Sequence, residues 1–222
     1  MLNVLHMGKL WPAVGIFISL VGYYALAWLV YFLLARGGVD FSSPWTGALP
    51  YTAVQAAGFL ALLYVAKREG GGFKSIYFGR LGRREAALAL LLWFVAFTAW
   101  LPINAATTAL GLPQTRWGYS VEGLNAVAVF IWAVGAAFFE EAFFRGYALT
   151  RLPLFLRGRA LPAAINVLAF AGIHLRFGLS LFVYMLAWAS VVTVLFYLTR
   201  STWACFLYHC VNNLVVDFVI YG

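Results

Sequence analysis

Charge is what this sequence has least of. Only 10% of its 222 residues are Asp, Glu, Lys or Arg, and only seven of those are acidic. A soluble domain carries about 25% charged residues, so the shortfall excludes a water-facing surface over most of the chain. Histidine is nearly as scarce, with three residues, and cysteine is limited to Cys205 and Cys210. Both thiols fall in one late apolar run, where such groups serve as small packing residues, and they define no redox compartment. No internal repeat, low-complexity tail or soluble domain is visible, and Gly70 to Gly72 mark a flexible loop.

What fills the space is hydrocarbon. Hydrophobic residues make up 64% of the chain and aromatics 18%, with a mean hydropathy of +0.90. An apolar run of about 20 residues crosses the roughly 30 Å hydrocarbon core. The runs predict seven spans, approximately Leu10 to Leu34, Ala48 to Ala66, Ala86 to Gly111, Leu124 to Leu149, Ala160 to Leu175, Leu179 to Thr199 and Thr202 to Tyr221. The fifth is short, and Leu152 to Leu156 either extends it or forms a separate interfacial turn. The first run is too long for a cleavable signal and lacks an Ala-x-Ala-like site, so it is expected to act as an uncleaved anchor. The expected fold is an all-α, polytopic transmembrane bundle of seven to eight spans. Residues 1–222 are expected to form one membrane domain, with a catalytic core over about 122–222.

The formal charge of +8 invites a nucleic-acid reading that its distribution opposes. Lys67, Arg68, Lys74, Arg80, Arg83 and Arg84 follow the second span, and Arg151, Arg157 and Arg159 follow the fourth, whereas the opposite connections carry Arg36, Arg116 and Arg176. With a cytoplasmic amino terminus this is the positive-inside pattern. A lipid-binding role for the Lys67 to Arg84 loop is the alternative. The expected location is a multi-pass position in a plasma membrane, prokaryotic on the grounds of compactness and lack of tails.

Against this background the stretch FFEEAFFRGY, Phe138 to Tyr147, places Glu140, Glu141 and Arg145 inside a predicted span. Each such group costs about 2.5–3.5 kcal/mol at a span centre. Glu141 and Arg145 are four apart and can neutralise one another. Glu140 points about 100° away from Glu141 and finds no opposite charge on its own helix, so it requires protonation, partners on other helices, or water.

Apart from His6, which is read as inert, the histidines are His174 in FAGIHL and His209 in YHCVNNL. Counted from the cytoplasmic helix ends, Glu140, His174 and His209 lie roughly 15, 20 and 12 Å deep, one layer within boundary error. His209 and Asn213 share a face, as do Phe170 and His174. Taken singly, His174 is a helix-to-helix hydrogen-bonding residue, Asn213 interhelical glue, and Glu141 with Arg145 a packing pair. Asn212 and Asp217 are assigned to the outer interface or helix packing, and Trp100, Trp188 and Tyr208 to packing or the interfacial belt. The conjunction of two imidazoles, a left-over carboxyl and an amide at one depth favours chemistry over four separate packing roles.

Glu140-Glu141-x-x-x-Arg145, Phe170-x-x-x-His174 and His209-x-x-x-Asn213 resemble, in order, the three motifs of the CPBP family, which includes type II CaaX prenyl endopeptidases and bacteriocin-processing or self-immunity proteins. The resemblance runs from about Leu124 onward; the first three spans match nothing beyond hydropathy, and eight helices are usual in the family. It implies an intramembrane endopeptidase acting on a membrane-associated or lipidated peptide. Glu140 would be the general base on water, with His174 holding or deprotonating that water. His209 and Asn213 would donate to the oxyanion, and Glu141 and Arg145 would fix the helix and local field.

No cofactor is expected, with zinc as the alternative. The His-Glu-x-x-His zinc helix is absent, and zinc would have to recruit His174, His209 and a glutamate from three helices. Two alternatives remain: a proton- or ion-coupled transporter, which lacks the usual paired halves here, and a non-catalytic scaffold of the same family. The expected partners are a membrane or lipidated peptide and the bilayer, without nucleic acid.

Overall fold

The computed structural model describes residues 8–40, 44–79, 81–113 and 126–217, which form an all-α bundle with no strand among them. His6, Arg80 and Arg116 lie outside the described residues. Among the described residues five helices are long and apolar enough to cross a membrane: Leu10–Arg36, Leu49–Arg68 within the longer helix Pro44–Arg68, Arg83–Ala109, Ala126–Leu154 and Leu179–Thr199. Two shorter helices, Ala160–Gly172 and Thr202–Val215, are the fifth and seventh in chain order. The protein is an integral membrane helical bundle.

Departures from the predicted boundaries have local causes. The third helix breaks at Ala99, between Arg83–Thr98 and Trp100–Ala109; Pro102 has no N–H to return to the Thr98 carbonyl. Leu152–Leu154 is a 3₁₀ turn that ends the fourth helix, not an extension of the fifth. The fifth helix stops at Gly172, short of the predicted Leu175, so His174 lies beyond its end.

The fourth and sixth helices are the inner ones, with 56% of the span buried in each, against 11% for the third and 22% for the first. The outer helices turn Leu26, Leu29, Phe32, Leu90, Leu91 and Phe94 outward, where lipid replaces protein as the packing partner. The seventh helix packs on the third and fourth, the second on the fourth, and the fifth and third on the sixth. Small residues permit these approaches: Ala133, Ala137 and Ala204 are fully enclosed. Large aromatics fill the centre, among them Phe143, Phe144, Tyr147, Phe170, Trp188 and Tyr208.

The first and fourth helices contain π-helical turns, Ile18–Gly22 and Ala142–Ala148, and these turns pack against one another. Tyr23 stacks on Phe143 with ring centroids 4.5 Å apart. The widened turn frees backbone carbonyls that need other donors. Asn166 Nδ2 donates to Phe144 O (2.7 Å), and Thr150 Oγ1 lies 2.8 and 2.7 Å from the carbonyls of Gly146 and Tyr147. Gly146 is required for space: a Cβ there would stand 2.8 Å from the Ile76 carbonyl oxygen and 3.2 Å from Thr202 Oγ1.

At one end of this segment Arg151 corrects the charge reading. It is a buried ion-pair member, not a free loop cation. Its Nε and Nη2 donate to Glu69 Oε2 at 3.2 and 3.0 Å, and Nη1 donates to Ser75 O at 2.6 Å. Tyr147 donates its hydroxyl to the other oxygen of Glu69. Arg157 and Arg159 remain exposed.

Candidate active site

The fourth helix carries both glutamates at its last regular α turn, immediately before the π-helical segment. Neighbours in sequence, they face different surroundings. Glu141 is fully buried; its Oε1 accepts from Arg145 Nη1 at 2.8 Å and from His209 Nδ1 at 2.9 Å. Glu140 lines a cavity, and its Oε1 accepts from Tyr51 OH and Gln55 Nε2, each at 3.2 Å. The partners that the left-over carboxyl required therefore come from the second helix.

The cavity holds about 100 Å³ and is walled by Glu140, His174, His209 and Asn213, together with Tyr51 and Trp188. A water needs about 10–15 Å³ of such space and two to four polar partners, so several waters fit. Glu141 and Arg145 do not line it; they sit behind His209. Asn212 and Asp217 also line it, and Asn212 is bonded across helices to Trp188, in keeping with a helix-packing role.

Each imidazole is held by one nitrogen. The last carbonyls of a helix have no partner further along, and at the end of the fifth helix the His174 amide turns to Ala171 O (3.0 Å). His174 Nδ1 takes the vacated place, 2.9 Å from Phe170 O. A carbonyl only accepts, so Nδ1 carries the proton and Nε2 is the basic nitrogen of the neutral ring. His209 Nδ1 likewise donates to an acceptor-only group, the Glu141 carboxylate, and its Nε2 is left for another contact. Asn213 uses one N–H of its amide on Ala133 O (3.1 Å), so the interhelical role is present alongside its place on the cavity wall.

Phe170 is the spacer of this arrangement. It stacks on Trp188 with centroids 5.3 Å apart, and its ring centre is 5.1 Å from His174 and 5.9 Å from His209. The Arg145 guanidinium carbon lies 4.4 Å from its centroid, a cation–π contact that compensates a buried charge. Trp188 packs edge-on to His209 at 4.8 Å and donates Nε1 to Asn212 Oδ1 at 3.3 Å. It is thus part of the cavity wall, and Tyr208, whose hydroxyl donates to Trp188 O at 3.2 Å, is core.

Sequence reasoning missed Tyr51, Gln55 and Glu69. The signal was available for the first two: they are four apart in a predicted span, and Gln55 is the one carboxamide in that apolar run. Both cysteines are free thiols, Cys205 buried and Cys210 partly so.

Among the described residues no three His, Cys, Asp or Glu side chains stand together as a metal-binding group. The second nitrogen of each histidine is unengaged by protein.

No curated protein and no solved structure matches the chain. Residues 121–215 match the family model of the type II CAAX prenyl endopeptidase Rce1-like proteins. The matched segment contains all three motifs, so this part of the chain is similar to the CAAX protease family in which the motifs occur.

Proposed function

We propose that this protein is an intramembrane endopeptidase that cleaves a membrane-associated or lipidated peptide with a glutamate-activated water. The observation that carries the proposal is that Glu140, His174 and His209, from three separate segments, wall one cavity with room for several waters in an otherwise apolar bundle. The family-model match over residues 121–215 supports peptidase activity in general; the assignment of roles rests on the local geometry.

In this reading a water sits between Glu140 and His174 Nε2. Glu140 accepts its proton as the water adds to the scissile carbonyl, and later returns that proton to the leaving amine. His174 orients the water through Nε2, because Phe170 holds the proton on Nδ1. His209 Nε2 and the second N–H of Asn213 stabilise the oxyanion. For His209 to donate from both nitrogens it must be the imidazolium, and Glu141 supplies the accompanying negative charge. Arg145 holds Glu141 in place from the other side. No step passes through a metal. The distribution of basic residues supports a cytoplasmic amino terminus in this reading.

The test is cleavage by purified protein in bilayer discs, using prenylated and unmodified membrane peptides, with products identified by mass spectrometry. Loss of cleavage in folded Glu140→Ala and His174→Ala supports the proposal. Unaltered cleavage in both overturns it. Proton or solute flux in liposomes that depends on Glu140, without cleavage, would make the protein a transporter.

A further inference from the structure

The match to a peptidase family begins at residue 121, yet two side-chain hydrogen bonds to the proposed base come from far upstream. We infer that Tyr51 and Gln55, on the second helix, are positioning residues that lock one oxygen of Glu140 and leave the other to meet water. This rests on the peptidase reading above and extends it into the half of the chain that no family model matches.

Three observations carry the inference. Tyr51 and Gln55 are one helical turn apart, so their side chains emerge on the same face. Both donate to the same atom, Glu140 Oε1, at 3.2 Å. A carboxylate oxygen has two lone-pair sites, and two donors occupy them, which leaves Oε2 as the oxygen available to the cavity. Finally, Gln55 is fully buried and its own carbonyl oxygen has no partner among the described residues. An unsatisfied buried acceptor costs about 1–3 kcal/mol. The amide keeps that orientation because a carboxylate accepts and never donates, so the NH₂ end must face Glu140.

The consequence is mechanistic. A glutamate free to rotate presents either oxygen and wanders among rotamers, whereas a base in general acid–base catalysis must sit within about 2.6–3.2 Å of the proton it takes. Two donors from a separate helix fix the carboxylate plane before substrate arrives. Tyr51 also lines the cavity, so the same hydroxyl closes the wall beside the base.

The experiment uses full-length Tyr51→Phe, Gln55→Leu and Gln55→Met in bilayer discs. Loss of a hydrogen bond to a charged group is expected to lower kcat about 10- to 100-fold, with KM within about twofold of wild type because no substrate contact is removed. A merely structural role would instead lower the melting temperature and the folded fraction in parallel with activity, and that result overturns the inference, as does an unchanged kcat. Infrared difference spectra, wild type minus Glu140→Gln, supply a readout independent of turnover. The Glu140 carboxyl bands should move in Tyr51→Phe and again in the Gln55 variants. Unmoved bands overturn the inference even if cleavage is seen, and moved bands sustain the hydrogen-bonded lock even if wild type cleaves no tested peptide, in which case the peptidase reading alone has failed.

Discussion

Glu141 and His209 meet at 2.9 Å through the same carboxylate oxygen that accepts from Arg145. One buried atom therefore ties the fourth helix to the seventh and couples the Glu141–Arg145 pair to an imidazole on the cavity wall. Glu141→Gln should show both consequences. Arg145, fully enclosed, would lose its anion, and breaking a buried pair costs about 3–5 kcal/mol. A lower melting temperature in detergent would record that. Turnover in the surviving folded protein should fall about 10- to 100-fold, the usual effect of removing a group that orients a functional histidine.

Glu140→Gln should behave in the opposite way. The substituted amide keeps a carbonyl oxygen for Tyr51 and Gln55, so the melting temperature should stay near that of wild type. Peptide cleavage should fall at least about 10²–10⁴-fold, the contribution of a general base. Cleavage assays run beside thermal melts check the separation, and a variant that is unfolded but still specific in its losses would contradict it.

Arg151→Ala tests the second buried cluster. It would remove both donors to Glu69 Oε2 and leave that carboxylate with the Tyr147 hydroxyl. The expected loss of stability is about 3–5 kcal/mol. Activity per folded molecule should be retained, since the cluster lines no part of the cavity.

Gly146→Ala tests the close approach beside the π-helical turn. The added methyl would meet the Ile76 carbonyl at 2.8 Å, a backbone atom that cannot rotate away. Overpacking of this kind costs about 1–3 kcal/mol. A reduced melting temperature with the helical circular dichroism preserved is the expected result.

Removal of metal should leave cleavage unchanged. Wild type treated with a strong chelator, then exchanged into metal-depleted buffer, should retain its kcat. Loss that zinc alone restores would overturn the metal-free proposal.

Much of this was legible in the chain itself. The apolar runs announced a membrane bundle because a helix satisfies its own backbone in lipid. The charges of Glu140, Glu141 and Arg145 stood out because each carries an insertion penalty, and the three motifs led to the same segment that matches the family model, 121–215. Counting residues also brought His174 and His209 to the depth of Glu140, and all three line one cavity. Counting failed where regular α geometry ended. It kept His174 inside a span, whereas the ring caps a carbonyl beyond the helix end. It took Arg151 for a loop charge, because burial by Glu69 and Ser75, more than 70 positions away, leaves no local trace.

By itself, then, the sequence determined the solvent, most of the helices and the choice of candidate side chains, all of which follow from hydropathy and from contacts within one helical turn. Tertiary structure decided which glutamate faces the cavity, which one is buried behind a histidine, and which residues of the second helix hold the first in place. Those choices depend on how neighbouring helices dock, since a carboxylate finds its donors wherever packing delivers them and not at any fixed spacing along the chain.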